Sequence, residues 1–425
     1  MNSGITDPEI SIVLPTINEA DNLAVLLPQV KTILERLGCA YEILVVDGGS
    51  SDDTKAVALS NDATFLAQRS TGYGGALREG FARARGRYIL TLDADLSHNP
   101  DFIPSMWRER QNAAIVIASR YVLGGSAMMP PTRWILSRIL NLWFRRALSL
   151  PFSDLSSGFR LYRADVLRGV ELSSNDFDFL QEALIKVFAQ GWPVREVPFR
   201  YSPRRSGNSK ARLLRFARSY ASTFMRMWKL RNSIHSADYD ERAARTWLLP
   251  QRLWQQSRYS IITRLAQGAG AILDVGCGSS GIFRDLNNCL GLDVKMGKLR
   301  YMRGYNKPVV AGSIFCLPFK DESFDCVISS EVIEHIPEGM DPFHEMRRVL
   351  RRGGRLILGT PDYGTLSWRT IERIYAVVVP DGYASEHITH YTKSSLTELL
   401  LGLGFQLESV SYVFGSEMIF SLRKV

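Results

Sequence analysis

The sequence lacks any uninterrupted apolar run of the ~18 residues that a membrane-spanning helix needs. Its cysteines are few and show no paired spacing: Cys39, Cys277, Cys289, Cys316 and Cys326. The first ten residues are polar, without the basic and then apolar stretches of a signal peptide. These absences exclude a bilayer-spanning helix and a disulfide-stapled secreted domain. We therefore expect a cytoplasmic protein, with peripheral attachment to the inner face of the membrane as the alternative.

The composition is that of a globular protein with more than one domain. The 425 residues are 45% hydrophobic and 22% charged, which excludes a disordered chain and predicts two or three domains. The net charge of +9 is unevenly placed, because residues 1–235 carry +8 and residues 236–425 carry +1. A partner with phosphates or an anionic membrane surface is therefore expected for the first half. No nucleic-acid partner is predicted.

Two series of short apolar runs separated by helical segments predict an α/β fold with two separate domains. Runs at residues 11–14, 43–46, 88–92 and 114–118 predict buried parallel strands, with helices near 19–37, 53–59 and 75–84. A second series lies at residues 271–275, 289–294, 324–329 and 354–359. The polar stretch within residues 232–240 marks the seam, which gives domains at 1–235 and 236–425.

Polar residues follow three of the strands predicted for the first domain. They are residues 15–19, then Asp47, then Asp93 and Asp95. Ligands of open parallel sheets bind beyond the carboxyl ends of strands, so these residues are candidate ligand contacts. Asp93 and Asp95 are one residue apart on a segment expected to be extended, which would point both carboxylates the same way. A divalent cation, Mg²⁺ or Mn²⁺, bridging a diphosphate would offset their repulsion.

These residues resemble a known family. The blocks PTINEADNL, VVDGGSSDDT, GYGGALREGFARARGRYILTLDADLSHNP, SDLSSGFRLY and RRSGNSK are similar to family 2 glycosyltransferases of the GT-A fold, especially the dolichol-phosphate mannosyltransferase branch. The resemblance implies a nucleotide-diphosphate sugar such as GDP-mannose or a UDP-sugar, a metal at Asp93 and Asp95, and nucleotide contacts from Pro15, Asn18, Glu19 and Asp47. The sequence departs from the family pattern at Gly48, because many members of the family have a second acidic residue at that position.

The same branch implies a polyprenyl phosphate acceptor, which needs positive charge rather than a protein base. Basic residues without intervening acids supply that charge, and the candidates are Arg204, Arg205 and Lys210, followed by Arg120 and Arg138. An alcohol acceptor, such as a growing polysaccharide or a glycolipid, would require a base. Asp154 is the candidate for that base, and a helix cap or a clamp on a neighbouring arginine is its alternative role.

Two basic amphipathic segments, residues 133–152 and 212–229, could contact a membrane. In the second, arginines and lysine lie on one helical face and large apolar residues on the other. Either this apolar face packs on the domain core, or the segment lies among lipid headgroups. The first segment places tryptophans beside arginines, which favours the interfacial alternative for it.

The second domain contains a glycine-rich turn between a strand and a helix, in the sequence ILDVGCGSSG. Such a turn is shared by all dinucleotide folds. With CLPFKDESFDCVISSEVIEHI downstream, it resembles class I S-adenosylmethionine-dependent methyltransferases of the small-molecule type. The resemblance implies that Asp274, Gly276 and Gly278 surround the methionine part, that Asp293 binds the ribose, and that Ser313 and Ile314 lie near adenine. Ser313 stands where the family commonly has Asp.

A base for methyl transfer is needed only if the acceptor must lose a proton. The candidates are His335, His387 and His390, and His387 is preferred because it follows a segment at 362–385 where an acceptor lid is expected. The cysteines lack ligand spacing, so a zinc site is not predicted. The sequence thus predicts a bifunctional enzyme that transfers a sugar and methylates a related small molecule, glycan or lipid. The alternative for the second domain is a module that only binds.

Overall fold

The computed structural model describes residues 7–202, 213–246, 249–378 and 387–425. The chain divides into two compact units, the first comprising Met1–Phe188 and Trp192–Leu230, and the second comprising Ala189–Gly191 and Arg231–Val425. The division after Leu230 lies shortly before the 235/236 boundary proposed from the sequence.

The first unit is built on a seven-stranded mixed sheet in the order β3-β2-β1-β4-β7-β5-β8, with a separate pair β6-β9. Strand β1 is buried at six of its seven positions and pairs in parallel with β2 and β4, as expected for a strand covered on both faces. The strands are β1 (Ile10–Thr16), β2 (Tyr41–Asp47), β3 (Thr64–Ala67), β4 (Tyr88–Thr91), β5 (Ile115–Ser119), β6 (Ser126–Ala127), β7 (Arg160–Arg163), β8 (Val194–Pro198) and β9 (Arg200–Tyr201). The helices are α1 (Ala20–Leu37), α2 (Thr54–Ser60), α3 (Gly72–Arg83), α4 (Ile103–Arg108), α5 (Pro131–Ala147), α6 (Ala164–Arg168), α7 (Phe179–Ala189) and α8 (Leu213–Arg231), with a 3₁₀ turn at Pro100–Phe102.

The second unit has a seven-stranded sheet in the order β12-β11-β10-β13-β14-β16-β15. Its central strands are parallel, and its last two strands form an antiparallel hairpin whose turn holds Phe414 and Gly415 at φ 46 and 65°. Two consecutive positive φ angles suit the twist of such a hairpin. The elements are α9 (Tyr239–Ala244), α10 (Leu249–Ala266), β10 (Ile272–Val275), α11 (Gly281–Asp285), β11 (Cys289–Asp293), α12 (Met296–Arg303), β12 (Val309–Ala311), β13 (Phe324–Ser330), a 3₁₀ turn Ile333–His335, α13 (Asp341–Val349), β14 (Leu350–Pro361), α14 (Leu366–Val378), α15 (Lys393–Gly402), β15 (Phe405–Val413) and β16 (Glu417–Lys424).

The predicted fold class is confirmed, and all eight predicted strands are present within a few residues of their expected bounds. Each sheet also contains strands that the sequence analysis did not identify: β7 pairs antiparallel with β4 and β5, and β16 pairs antiparallel with β14 and β15. Strand pairing is decided by contacts between distant segments, which an apolar run alone does not encode.

The two basic helices differ in what their apolar sides contact. On α8, Met227 is 1% exposed and packs into the core with Tyr220 and Phe224, so the packing alternative holds for this face. On α5, Phe144 enters the same core, while most other large apolar residues stay exposed: Trp134, Ile135, Leu136, Ile139, Leu142 and Trp143. Helix α5 therefore presents an unburied apolar surface.

Within the described parts of the chain, no helix combines the length and apolarity needed to cross a membrane. All five cysteines are free thiols, and four of them are buried.

Candidate active sites

The nucleotide candidates of the first unit meet at one edge of its sheet. Pro15 lies opposite Val46 in the register of β1 and β2, and Asp47 ends β2. The Asn18 N–H donates to Ser50 Oγ at 2.7 Å, and Asn18 Oδ1 accepts from the Ser51 N–H at 2.8 Å. The loops after β1 and β2 are thus joined, which brings the predicted nucleotide contacts together at one edge of the sheet.

Asp47 organises the second of these loops. Its carboxylate is 5% exposed and accepts hydrogen bonds from the N–H groups of Gly49 and Ser50 at 3.0 and 2.8 Å, and from the Ser50 hydroxyl. The Glu19 carboxylate accepts from Asn22 Nδ2 at 2.6 Å. These bonds fix both acids before any ligand binds, which lowers the entropy cost of binding.

The two candidate metal ligands follow β4, but not on an extended segment. The strand ends at Thr91, and Ala94 and Asp95 form a turn, so that expectation is wrong. The turn is favoured because Asp95 Oδ1 accepts from the Ser97 N–H and hydroxyl at 3.1 and 2.5 Å, a local bonding typical of Asp. Asp93 Oδ1 instead accepts from the Tyr73 hydroxyl at 3.0 Å. Both acids nevertheless follow β4, the strand next to β1 in the sheet.

His98 supports this turn and was not identified from the sequence. Its Nδ1 accepts from the Asp93 N–H at 2.9 Å, and its Nε2 lies 3.8 Å from Asp93 Oδ2. The ring is 3% exposed and stacks on Phe159 at 5.3 Å. Burial lowers the pKa of His98 despite the neighbouring Asp93, so a neutral imidazole holds the metal-candidate loop. The His in DLSHNP, three residues after Asp95, was the available signal.

Asp154 is engaged by Arg120 in a buried bidentate pair. Arg120 Nε and Nη2 donate to the two carboxylate oxygens, each at 2.7 Å, and the Arg120 N–H donates at 3.0 Å. Further bonds come from the N–H groups of Ser156 and Ser157 at 3.2 and 3.0 Å, and from the Ser156 hydroxyl at 3.3 Å. Burial alone would raise the pKa of Asp154, but the Arg120 charge and hydrogen bonds outweigh it and hold that pKa below its usual value. A carboxylate that accepts six hydrogen bonds and has a lowered pKa is a poor general base, which favours the arginine-clamp role.

Arg120 and Arg138 come together at Tyr121. Their guanidinium carbons lie 5.1 and 5.0 Å from the centre of that ring. Arg138 also lies 5.4 Å from the ring centre of Trp134, on α5. The structure therefore joins these two acceptor candidates to the exposed helix. The other three, Arg204, Arg205 and Lys210, lie outside the described residues.

The glycine-rich turn of the second unit depends on its glycines. Gly276 and Gly278 have φ of 72 and 55°, a region that L side chains rarely adopt. A Cβ at Gly276 would collide with Val332, and one at Gly278 with the Asp240 carboxylate. The Gly278 N–H donates to Asp293 Oδ2 at 2.9 Å, which ties the turn to the end of β11.

The residues predicted to bind S-adenosylmethionine line one cavity of about 840 Å³. They are Asp274, Gly276, Gly278, Asp293, Ser313 and Ile314, and His335 joins them. Burial raises the pKa of Asp274 to about 8, and the charges of Asp293 and Asp240 add to the shift. A cavity with several acids near one another attracts a cation.

Asp240 and Lys298 also line the cavity and were not identified from the sequence. Lys298 Nζ lies 2.8 Å from Asp240 Oδ2, which also accepts from the Ser279 N–H at 2.8 Å. Burial opposes ionisation of Asp240, but Lys298 holds its pKa below the usual value. Asp240 is separated from the glycine turn by more than thirty residues, so its place there depends on the tertiary fold.

The three candidate histidine bases gather near Tyr363. The rings of His335 and His387 are 4.8 Å apart, and His390 stacks on Tyr363 at 4.1 Å. Burial, followed by His335 and His390, lowers the pKa of His387 to about 4, so it would be a weak general base. Of the predicted lid at 362–385, helix α14 is described, while residues 379–386 lie outside the described residues.

Comparison with protein families gives one match for each unit. Residues 11–170 match glycosyl transferase family 2, and residues 273–358 match a methyltransferase domain family. The first match contains the candidate nucleotide contacts and Asp154, and the second contains the glycine-rich turn.

Three curated relatives each align with about half of the chain. The dolichol-phosphate mannosyltransferase of Pyrococcus furiosus is 37% identical over 211 residues, 48% of this chain and 59% of that protein. The low-salt glycan biosynthesis hexosyltransferase Agl6 of Haloferax volcanii is 30% identical over 46% of this chain and 48% of its own length. This chain thus spans about half the length of these two relatives. The undecaprenyl-phosphate mannosyltransferase of Micrococcus luteus is 32% identical, over 47% of this chain and 85% of that protein.

Solved structures resemble the units more distantly. A S-adenosylmethionine-dependent methyltransferase of Thermotoga maritima shares 20% identity at a TM-score of 0.37, over 42% of this chain and 93% of its own. Glucosyl-3-phosphoglycerate synthase of Mycobacterium tuberculosis, in complex with Mn²⁺, UDP and glucosyl-3-phosphoglycerate, shares 19% identity at a TM-score of 0.42, over 52% and 80%.

Proposed function

This chain belongs to glycosyl transferase family 2 and carries a second domain of the methyltransferase type, and from that premise we propose a bifunctional enzyme. Its first unit transfers a hexose from a nucleotide diphosphate to a polyprenyl phosphate, with inversion at the anomeric carbon. Its second unit transfers a methyl group from S-adenosylmethionine to a related glycan, lipid or small molecule.

In the proposed glycosyl transfer, the acceptor phosphate oxygen attacks the anomeric carbon while the bond to the nucleotide diphosphate breaks. Asp47, Asn18 and Glu19 hold the nucleotide at the edge where their loops are joined. Asp93 and Asp95 offer the hard oxygen ligands that Mg²⁺ or Mn²⁺ prefers, and such an ion would neutralise the leaving diphosphate. Arg120 and Arg138 orient the acceptor phosphate from the Tyr121 side.

The observation that carries the choice of acceptor is the Arg120–Asp154 pair. A phosphate monoester is already anionic at neutral pH and needs no base, whereas an alcohol must lose a proton. Asp154, the candidate base for an alcohol, already accepts six hydrogen bonds. The site is therefore better suited to an anionic acceptor.

A pair of matched acceptors tests this choice. The purified full chain is incubated with GDP-mannose or UDP-glucose, Mg²⁺, and either a polyprenyl phosphate or the same polyprenol without phosphate. We expect a glycosylated lipid by mass spectrometry only from the phosphate. A product from the polyprenol that is lost in Asp154→Asn, but kept in the exposed-pair control Asp165→Asn, would support the alcohol alternative instead.

We also propose that α5 places the first unit on an anionic membrane. Its exposed Ile135, Leu136 and Ile139 are 50 to 59% accessible, and Arg138, Arg145 and Arg146 lie among them on the helix. An apolar face flanked by arginines suits the headgroup layer, and a lipid-linked acceptor would be presented there.

Cosedimentation of the full chain with phosphatidylglycerol vesicles tests this placement. It should weaken when salt is added and in Arg145→Glu, but not in the control Arg83→Glu on α3. Binding that ignores both salt and Arg145→Glu would contradict the proposal.

For the second unit, the glycine turn and Asp293 support a nucleoside, and the acid-rich cavity supports a sulfonium. Calorimetry with S-adenosylmethionine is the test, and no heat of binding would exclude the methyltransferase role. Binding with no methylated product in cells would favour the alternative of a module that only binds.

A further inference from the structure

Three side chains with metal-ligating atoms converge beside the methyl-donor cavity. One ligand atom each from Glu334, His335 and His387 lies within 4.8 Å of the others. In the chain as far as the structure describes it, this is the only such group of three histidine, cysteine or acidic residues. Glu334 and His335 belong to the 3₁₀ turn after β13, whereas His387 comes from a segment some fifty residues later. The fold rather than the local sequence makes this group.

The Glu334 carboxylate is placed where a cation would stabilise it. The residue is 0% exposed, and its Oε2 accepts from the Thr360 hydroxyl at 3.1 Å. Its Oε1 is buried and, among the described residues, has no hydrogen-bond donor. An ionised carboxylate that is buried with one oxygen lacking a donor is unfavourable unless it is paired or binds a metal. An unpartnered oxygen beside two imidazoles is therefore a site for a positive ion.

A hydrogen-bond relay orients His387 toward the group. The Tyr363 hydroxyl lies 2.8 Å from His387 Nδ1 and donates to Glu372 Oε1 at 2.8 Å. When the tyrosine proton points to Glu372, Nδ1 must be the protonated nitrogen of His387, and the ring lone pair is on Nε2. Trp368 stacks on the same ring at 6.0 Å. Metal-binding histidines are commonly fixed in this way through their other nitrogen.

We propose that Glu334, His335 and His387 bind a divalent transition-metal ion, and that this ion binds a hydroxyl oxygen of the methyl acceptor. The proposal rests on the proposed methyltransferase function. Two imidazoles and one carboxylate suit zinc, iron, cobalt or manganese and leave positions open for other ligands. His335 lines the donor cavity, so the open positions lie near the methyl donor.

The chemistry would be O-methylation. The ion lowers the pKa of the bound hydroxyl, whose proton passes to water. The resulting oxyanion attacks the methyl carbon, an O–C bond forms, and the S–C bond breaks with its electron pair going to sulfur. The sulfonium thereby becomes a neutral thioether, and charge is conserved. This assigns the acceptor to the hydroxyl-bearing class, which includes sugars, and replaces His387 as a base by His387 as a ligand.

Cobalt binding tests the site without relying on catalysis. The full chain carrying Asp95→Asn, which removes the proposed metal site of the first unit, is stripped with chelator and titrated with Co²⁺. We expect one bound equivalent with visible absorption of a nitrogen-ligated ion. His335→Ala and His387→Ala should abolish it, while His344→Ala, at an exposed histidine on α13, should retain it. Tyr363→Phe keeps the ring but removes the relay and should weaken binding about ten- to a hundredfold.

Calorimetry with S-adenosylhomocysteine on every variant separates loss of the site from loss of the fold. Unchanged Co²⁺ binding in His335→Ala and His387→Ala, or no Co²⁺ binding by the parent chain, would overturn the proposal. If an alanine variant also loses S-adenosylhomocysteine binding, the Tyr363→Phe variant tests the metal site instead. A Co²⁺ affinity of Tyr363→Phe equal to that of the parent would contradict the proposal. Failure of the methyltransferase function appears differently, as Co²⁺ binding without S-adenosylhomocysteine binding by the parent.

Discussion

Two buried acids of the first unit and two of the second are stabilised in contrasting ways. In the first unit, Asp154 and Glu182 are fully buried, yet hydrogen bonds and basic partners hold the pKa of Asp154 below its usual value and that of Glu182 at about 2. In the second unit, burial raises the pKa of Asp274 to about 8 and that of Glu334 well above its usual range, and neighbouring acids increase both shifts.

This difference matches the charge of the ligands proposed for each unit. Buried acids that are paired with basic partners add no unsatisfied negative charge that would repel an anionic diphosphate or an acceptor phosphate. Acids that lack donors are stabilised by a cation, whether a sulfonium or a metal ion. The +8 and +1 net charges of the two halves agree with the same division.

The largest expected effect is on the stability of the first unit. Asp154→Ala leaves Arg120 buried without its partner, which should lower the free energy of unfolding by about 3–5 kcal/mol. The exposed pair Arg163–Asp165 offers a control, since Asp165→Ala should cost about 0–1 kcal/mol. Urea unfolding followed by tryptophan fluorescence measures both. Equal effects of the two variants would contradict a stabilising role for the burial of the Arg120–Asp154 pair.

A second prediction concerns pH and the unliganded second unit. The pKa of Asp274 is about 8 in the folded chain against a usual 3.8. Between these two pH values, the Asp274 side chain therefore binds a proton when the chain folds. The stability that Asp274 contributes is present below about 4 and is lost as pH rises toward 8. Asp274→Asn should flatten this pH dependence and be more stable than the parent at pH 8. Identical stability profiles would be incompatible with a raised pKa.

The smallest expected effect is on the choice between the cationic donor and its neutral product. As Asp274 ionises, the affinity of S-adenosylmethionine relative to S-adenosylhomocysteine should rise, on the order of a few-fold between pH 6 and 9. In Asp274→Asn the ratio should stay constant. Calorimetry at several pH values measures it, and a pH-independent ratio in the parent would weaken the comparison between the units.

The sequence was sufficient for features that depend on neighbouring residues. Apolar runs ended by turn residues located the strands, and the spacing of Asp274, Gly276 and Gly278 located the glycine turn, since a local backbone conformation demands those residues. It was insufficient where distant segments meet. The antiparallel β16, the Lys298–Asp240 pair and the approach of His387 to Glu334 are all set by tertiary packing.

Asp93 and Asp95 are an intermediate case. Their position after a strand was predictable, but the turn between them was not, because it depends on the bonds of Ser97 and on a buried histidine beneath the loop. The role of Asp154 as the partner of an arginine was likewise one of two alternatives in the sequence. Choosing between them required the contact with Arg120, which lies more than thirty residues earlier.

We expect the chain to hold two independent sites, one for an anionic nucleotide diphosphate and one for a cationic methyl donor. Calorimetry on the full chain, with GDP or UDP plus Mg²⁺ and separately with S-adenosylmethionine, tests it in Asp95→Asn and Gly276→Arg. We predict that Asp95→Asn loses only the metal-dependent nucleotide binding and that Gly276→Arg, whose side chain would collide with Val332, loses only the methyl donor. If either folded variant lost both ligands, or if neither lost its own, the claim would be contradicted.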